Sequence, residues 1–325
     1  MSELSADVAD DYVQQLDALR NGNAQCSMGH FAVIQASGSD AQSFLQGQLS
    51  SDLRDVSESR SQYSSYSNAK GRVLGSFLIW QFGGDYFLLV PADIAAALCR
   101  RLGMFVLRSQ VKLQVVTEPW LLAGVKGVGA EEVLKSIFNG LPAQPHDVVA
   151  NDSGVAIRLP AGSLLLFYTK PASAAIEGQL EQSCRRVGGE AWSLLDIGAG
   201  IPWVTGPTQE QFVPQMVNMD VLGGISFKKG CYPGQEIVAR TQYLGKVKRR
   251  LFRVELPVEA NPGDALYSPA TGDQAIGMIV NTGREENARL VALAVAQVAS
   301  WEAGLFLEKE YKNALKNLGL PYVLD

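Results

Sequence analysis

Histidine is nearly absent. The 325 residues contain two, His30 and His146, and neither lies in a recognisable motif. That argues against a Cys–His nucleophile and leaves no ligand cluster for a zinc centre. Cysteine is also sparse: Cys26, Cys99, Cys184 and Cys231, with no CxxC and the closest pair 47 residues apart. This is neither a disulfide framework nor a self-contained iron–sulfur site, and it fits a reducing cytoplasm. No run approaches the roughly 18 apolar residues of a membrane helix. The opening "MSELSADVADD" is acidic and has no apolar core segment, so no signal peptide is expected and the chain reads as cytoplasmic, without a membrane partner. Phosphate-loop and dinucleotide glycine patterns are missing, as is any low-complexity segment.

What remains is an ordinary globular composition, 47% hydrophobic, in a chain long enough for two or more domains. "GHFAVIQA" (29–36) reads as a strand. "SDAQSFLQGQLSSDL" follows as a helix, with Ser39 and Gln42 at capping-box spacing. "RVLGSFLIWQF" and "DYFLLVP" form a hairpin across Gly83-Gly84, and Asp93 caps the next helix. The pattern then echoes itself: "GVAIRLP" and "SLLLFYTK" are strands, and a helix runs from about Ser173 to Arg186 and stops at Gly188-Gly189. Pro91 and Pro171 mark the two strand-to-helix junctions, which predicts two similar sheet-plus-helix units. After Arg250 come short β-like runs, with "EANPGD" as a turn, and no amphipathic helix until "KEYKNALKNLG". A small β-barrel or sandwich is expected there.

The densest chemistry lies in "KKGCYPGQEIVAR" (228–240). Gly230 and Gly234 bracket Cys231. Pro233 suits a first helical turn, so Cys231 is expected just before a helix start with Lys228 and Lys229 close by. Such settings lower a thiol pKa from about 8.5 to about 3.5–7.5 and suit redox chemistry or metal ligation. Cys26, Cys99 and Cys184 read as space-filling thiols. From Ser226 to Arg250 there are seven bases and one acid, in a chain of net charge −5. The stretch is either a solvated face or a site for polyglutamate, phosphate or RNA.

"KGCYPGQE" resembles the signature of the YgfZ family of folate-binding proteins, themselves similar to the T-protein (aminomethyltransferase) of the glycine cleavage system. "FLQGQLSSDL", "NAKGR" (68–72) and "QFVPQMVNMDVLGGISFKKGCYPGQEIVART" extend the likeness over about residues 30–250. It implies an α+β fold: an intertwined pair of ferredoxin-like β/α units forming a folate-binding body over 1–245, followed by a C-terminal β-barrel over 246–325. The cofactor implied is tetrahydrofolate or a derivative in a central channel, with Trp192, Phe31, Lys229 and Gln215 as binding residues. Phe31 stands where the family has a tryptophan. Gly198 stands where folate-binding relatives often carry a carboxylate, and Asp196 could replace it only from a different place.

The T-protein's acidic pair is replaced by Gly75 and Ser76, which speaks against glycine-cleavage turnover. The family is associated with maturation or repair of iron–sulfur enzymes, including those that thiolate tRNA bases. The resemblance therefore implies a folate-binding accessory protein with iron–sulfur client or assembly proteins as partners and tRNA affected indirectly. Cys231 would be the catalytic candidate, as a redox group or transient metal ligand, with no resident metal. The alternatives are a folate-dependent one-carbon transferase or demethylase, and a direct RNA binder.

Overall fold

The computed structural model describes residues 6–243 and 247–324. Helix α1 (Ala6–Asn21) leads into β1 (Ala24–Ser27). Next come β2 (Phe31–Ser37), α2 (Ala41–Gln46), β3 (Gln62–Ser67), β4 (Val73–Phe82), β5 (Asp85–Pro91), α3 (Ala92–Gly103) and β6 (Lys112–Val115). These five strands form one antiparallel sheet in the order β3-β4-β5-β2-β6. Alternation along β5 explains its two-sided burial. Leu88 and Val90 join Phe44, Ile94 and Leu98 under α2 and α3, whereas Phe87 and Leu89 face a central core.

The second unit repeats the plan. β7 (Trp120–Lys126), α4 (Val128–Phe138), β8 (Val148–Asn151), β9 (Gly154–Arg158), β10 (Leu164–Thr169), α5 (Lys170–Ser183) and β11 (Arg185–Val187) follow. The sheet order is β11-β1-β7-β10-β9-β8, so the N-terminal strand β1 is built into the second sheet and the two units are intertwined. The strand-to-helix junctions at Pro91 and Lys170-Pro171 occupy equivalent places, as the repeat predicts.

α6 (Gly189–Ala199) and α7 (Gln235–Tyr243) precede the third unit: β12 (Arg249–Leu256), β13 (Ala265–Ser268), β14 (Gly272–Arg284), β15 (Leu290–Gln297) and β16 (Lys316–Asn317). The sheet order is β13-β14-β15-β12-β16. Single bridges Tyr267–Phe306 and Phe306–Ala314 carry the pairing from β13 toward β16, so the sheet curls into a half-barrel. Val291, Leu293 and Val295 of β15 share one apolar core with Trp80, Phe167 and Trp192 from the other units.

Four local expectations differ. α3 has Pro91 at its N-cap, so Asp93 lies inside the first turn and does not cap the helix. The helix after β2 is only Ala41–Gln46, begins at Asp40 without a side-chain cap, and ends because Leu49 pairs with Tyr66. The helix expected to reach Arg186 ends at Ser183. Arg185–Val187 pair with β1 instead, and Gly188-Gly189 open α6 rather than close its predecessor. No helix forms at 309–319. Leu315 is buried in the third core with its N–H on the Leu305 carbonyl, and Lys316 and Asn317 pair with β12. Among the described residues no helix is long and apolar enough to cross a membrane.

Candidate functional site

The first unit, α6 with the segment after it, and the third unit meet around a cavity of about 460 Å³. β2 contributes Phe31, preceded by His30. The β5–α3 junction contributes Pro91 to Asp93. α6 contributes Asp196 and Ile197, the segment after it Ile201, Trp203 and Thr205, and β14 Asn281 and Thr282. The walls are largely apolar and aromatic, as in sites for flat organic ligands. Phe31 meets Trp203 edge to face at 4.7 Å between ring centres, and Tyr63 packs behind Trp203 at 6.2 Å.

Trp203 is held from both sides. Its backbone N–H donates to Asn281 Oδ1 (3.0 Å), and Asn281 Nδ2 donates to the Trp203 carbonyl (2.9 Å). The register shift in β14 between Ile279 and Asn281 aims the asparagine there. Ser76 of β4 secures the same segment, donating to the Pro202 carbonyl (3.1 Å) and accepting from the Val204 N–H (3.0 Å). The position that carries an acid in the T-protein is thus a fully buried latch.

The cavity's polar feature is Asp196. Its Oδ2 accepts from Trp203 Nε1 at 2.9 Å, its one hydrogen-bond donor among the described residues. Burial pushes its pKa up to about 7, opposed only by that N–H. His30 is pushed below the ordinary imidazole value by burial, and its Nε2 is enclosed without a partner among the described residues. The folded chain therefore holds a proton on Asp196 that the unfolded chain releases above pH ~4. Stability should be full below pH ~4 and fall as pH rises through about 7. Asp196→Asn is expected to be the more stable protein at pH 8 by about 2 kcal/mol, once water in the open cavity is allowed for. Urea unfolding at pH 4 and 8 checks this; equal pH dependence in the two proteins would contradict the assignment.

The five residues expected at a functional site separate. Phe31 lines the cavity. Trp192 does not: it is fully buried, its indole pressed on Gly124, where an added Cβ would lie 2.3 Å from the ring. It packs in the core, and the indole at the cavity is Trp203. Gln215 is fully buried away from the cavity lining, its Nε2 donating to the Val238 carbonyl of α7 at 2.7 Å. Gly198 opens onto a second cavity of about 470 Å³ on another side of α6, where Tyr322 is the only ionisable lining residue. Sequence reasoning missed Trp203, Asn281 and His30 as cavity residues; a tryptophan directly after "GIP" was the one available signal.

Lys229 and Cys231 belong to a different surface. Lys229 turns inward, its ammonium donating to the carbonyls of Leu49 (2.7 Å) and Ser51 (2.8 Å), and burial pulls its pKa down to about 8. Its charge is held there rather than presented beside the thiol. Cys231 is exposed. The helix begins at Gln235, four residues on, and not at Pro233, because Gly234 takes φ +79°. A Cβ on Gly234 would lie 2.5 Å from the Gly71 Cα, so the "NAKG" and "CYPG" turns dock glycine to glycine. Lys228, Lys70 and Arg240 are exposed around this junction, whereas Lys246 of the basic stretch lies outside the described residues. Cys26 and Cys184 are buried, their thiols pushed up to about 12 and about 11, as suits space-filling residues.

Comparison with known proteins gives the same picture. The GCVT N-terminal domain family matches residues 5–148. A tRNA-modifying protein YgfZ of Sodalis glossinidius (strain morsitans) is 28% identical over 301 residues, 92% of this chain and 88% of the relative. In fold, the chain is similar to the crystal structure of glycine cleavage system aminomethyltransferase T from Bartonella henselae. The TM-score is 0.76 at 16% identity, covering 95% of this chain and 88% of that one. The tRNA-modifying protein YgfZ of Pectobacterium carotovorum subsp. carotovorum is 31% identical over 249 residues, 76% of this chain and 72% of that protein. On that likeness, and with the Cys231 motif exposed beside the "NAKGR" turn, the chain belongs to the YgfZ family.

Proposed function

We propose that this protein binds tetrahydrofolate, or a derivative of it, and acts as an accessory factor for iron–sulfur enzymes, including those that thiolate tRNA bases. The observation that carries the folate part is the cavity. It is walled by Phe31 and Trp203, has one half-buried carboxyl, Asp196, and is roomy enough for a flat heteroaromatic ligand at about 460 Å³. Its residues fit a pterin. Aromatic edges contact the ring faces, Asp196 accepts from ring N–H groups, and the unpartnered His30 Nε2 gains a polar neighbour. Bound folate would supply one-carbon or reducing chemistry, and the chain's own task in the cavity is to bind it, orient it and exclude water.

The accessory role rests on the separation of the cavity from Cys231, the one exposed thiol among the described residues. A transient metal ligand or redox partner for a client protein needs such exposure. The two strand-pair-plus-helix units are read as ferredoxin-like, with the division from the C-terminal barrel near 245. Cytoplasmic localisation belongs to the same reading. A folate-dependent transferase is the second reading, favoured by the likeness in fold to an aminomethyltransferase. The buried latch at Ser76 weighs against it, since no carboxylate stands there to meet a reacting amine.

Tetrahydrofolate is expected to quench tryptophan fluorescence with saturation. Trp203→Leu should remove most of that signal and weaken binding roughly 30-fold by loss of an aromatic wall. Trp192→Phe should leave the affinity within about threefold. Unsaturable quenching, or a Trp203→Leu protein of unchanged affinity, would remove folate from this cavity.

A further inference from the structure

An apolar tip stands at the far end of the first sheet. α3 starts at the cavity with Ala92 and Asp93, and its 12 residues carry the chain about 18 Å away before it turns into β6. On that turn Met104, Phe105 and Leu107 are 66%, 45% and 87% exposed. Single exposed apolar residues are ordinary, but three within four positions form a patch. Leu107 also has φ +44°, a left-handed conformation that a bulky residue seldom takes. The turn is nevertheless tied down. The Phe105 N–H donates to the Leu102 carbonyl (3.0 Å) and the Ser109 N–H to the Val106 carbonyl (2.8 Å). Asp40, at the base of the turn, accepts from the Gln110 N–H (2.7 Å). The apolar side chains are thus presented on a hydrogen-bonded base.

The charge around the tip has one sign. From Ile94 to Thr117 the chain carries four bases and no acid, although its net charge is −5. Arg101 turns toward Tyr66 and hydrogen-bonds to it. Arg100 lies one helical turn before Met104, Arg108 stands next to Leu107, and Lys112 opens β6; all three are exposed. Among the described residues none of these three pairs with an acid. Unpaired cations beside bare apolar groups complement a surface that is anionic outside and apolar beneath. Nucleic acid answers the charges but gives Met104 and Leu107 nothing to bury against. A protein partner would need a socket shaped for a leucine that touches almost nothing of its own chain. A lipid headgroup layer takes such a side chain without any matching shape.

We propose that the α3–β6 turn is a membrane-surface contact: Met104, Phe105 and Leu107 enter the headgroup layer of an anionic bilayer, and Arg100, Arg108 and Lys112 lie over the lipid phosphates. The contact is peripheral, since among the described residues no helix is long and apolar enough to cross a bilayer. It revises the expectation of no membrane partner, which rested on the lack of a spanning run and of a signal peptide. Each cation near an anionic leaflet tightens binding about fivefold, and so few apolar anchors hold reversibly, so attachment follows the lipid charge. The contact does not depend on the folate reading, because none of its residues lines the cavity.

The test is cosedimentation of the full chain with vesicles of phosphatidylcholine and phosphatidylglycerol in about a 2:1 ratio, and with vesicles of phosphatidylcholine alone. Binding to the anionic vesicles should be at least ~30-fold tighter. Leu107→Asn removes the apolar apex while asparagine accepts the left-handed backbone, so the fold should be kept and anionic-vesicle binding weakened roughly tenfold. Arg100→Gln/Arg108→Gln/Lys112→Gln should lose about 50-fold with an unchanged unfolding curve. Absence of vesicle binding overturns the assignment. In that case transfer RNA bound by the unaltered chain but not by the triple variant would put RNA on the tip, and a dimer that Leu107→Asn dissolves would put a second copy there. Anionic-vesicle binding that both variants retain also overturns it, placing the contact on another basic surface such as the one around Lys228 and Arg240.

Discussion

Asp220→Ala is expected to destabilise the folded chain by about 3–5 kcal/mol. Arg250, at the start of β12, is nearly buried, with an 8% exposed side chain. Its Nη1 donates to both Asp220 oxygens, at 2.7 and 2.8 Å, and to the Gln215 carbonyl at 3.0 Å. Removing the carboxylate leaves a guanidinium out of water with one neutral acceptor. The penalty is the stranded charge, not the worth of the pair. Asp220→Asn should therefore lose less, and the double variant Asp220→Leu/Arg250→Met should recover most of the loss by taking the charge away as well. Urea unfolding of the four proteins measures this. A double variant no more stable than Asp220→Ala would show that packing, not charge, dominates.

The effect should reach the Cys231 turn. Gln215 sits in the segment that Arg250 secures, and its side chain holds α7 through the Val238 carbonyl. Asn218 in the same segment exchanges hydrogen bonds with the Leu251 backbone on β12. "QFVPQMVNMD" is thus a strap between the barrel and the cysteine motif, and hydrogen exchange in α7 should quicken in Asp220→Ala.

How much of this was legible in the sequence depended on the range of the interactions. The Gly83-Gly84 hairpin and the strand-to-helix junction at Pro91 were readable because a few neighbouring residues decide them; both glycines take positive φ. The helix expected at 309–319 failed because Leu315 is drawn into a core most of whose other members lie on β12 to β15. Local periodicity carries no trace of that competition. The site divided in the same way. Phe31 could be picked out from a motif, but the cavity joins residues 30–31, 91–93, 196–205 and 281–282, and no spacing rule links them. Lys229 was expected beside the Cys231 thiol and at the folate, because a motif says nothing of which way a long side chain turns. Only the carbonyls of Leu49 and Ser51, about 180 positions away, decide it.

That inward turn separates two roles within one motif. Lys229→Met should destabilise the protein by about 2–3 kcal/mol, because two buried carbonyls lose a charged donor and the ammonium's place over the Tyr232 ring, 5.2 Å from its centre, is lost. Cys231→Ser should change stability by no more than about 0.5 kcal/mol, since the side chain is exposed. Tetrahydrofolate affinity should stay within twofold, because Cys231 does not line the cavity. In cells lacking the native protein the serine variant should nonetheless fail to restore iron–sulfur enzyme activity and thiolated tRNA bases, as serine is neither a soft metal ligand nor redox active. Lys229→Met should fail in the same assay for another reason: the turn that carries the thiol is released from the segment at Leu49–Ser51. Unfolding curves tell the two apart, with a shifted midpoint for methionine and none for serine. A Cys231→Ser protein that restores the thiolated bases fully would reduce Cys231 to an exposed residue of a structural turn and leave Lys229 as the motif's one essential side chain.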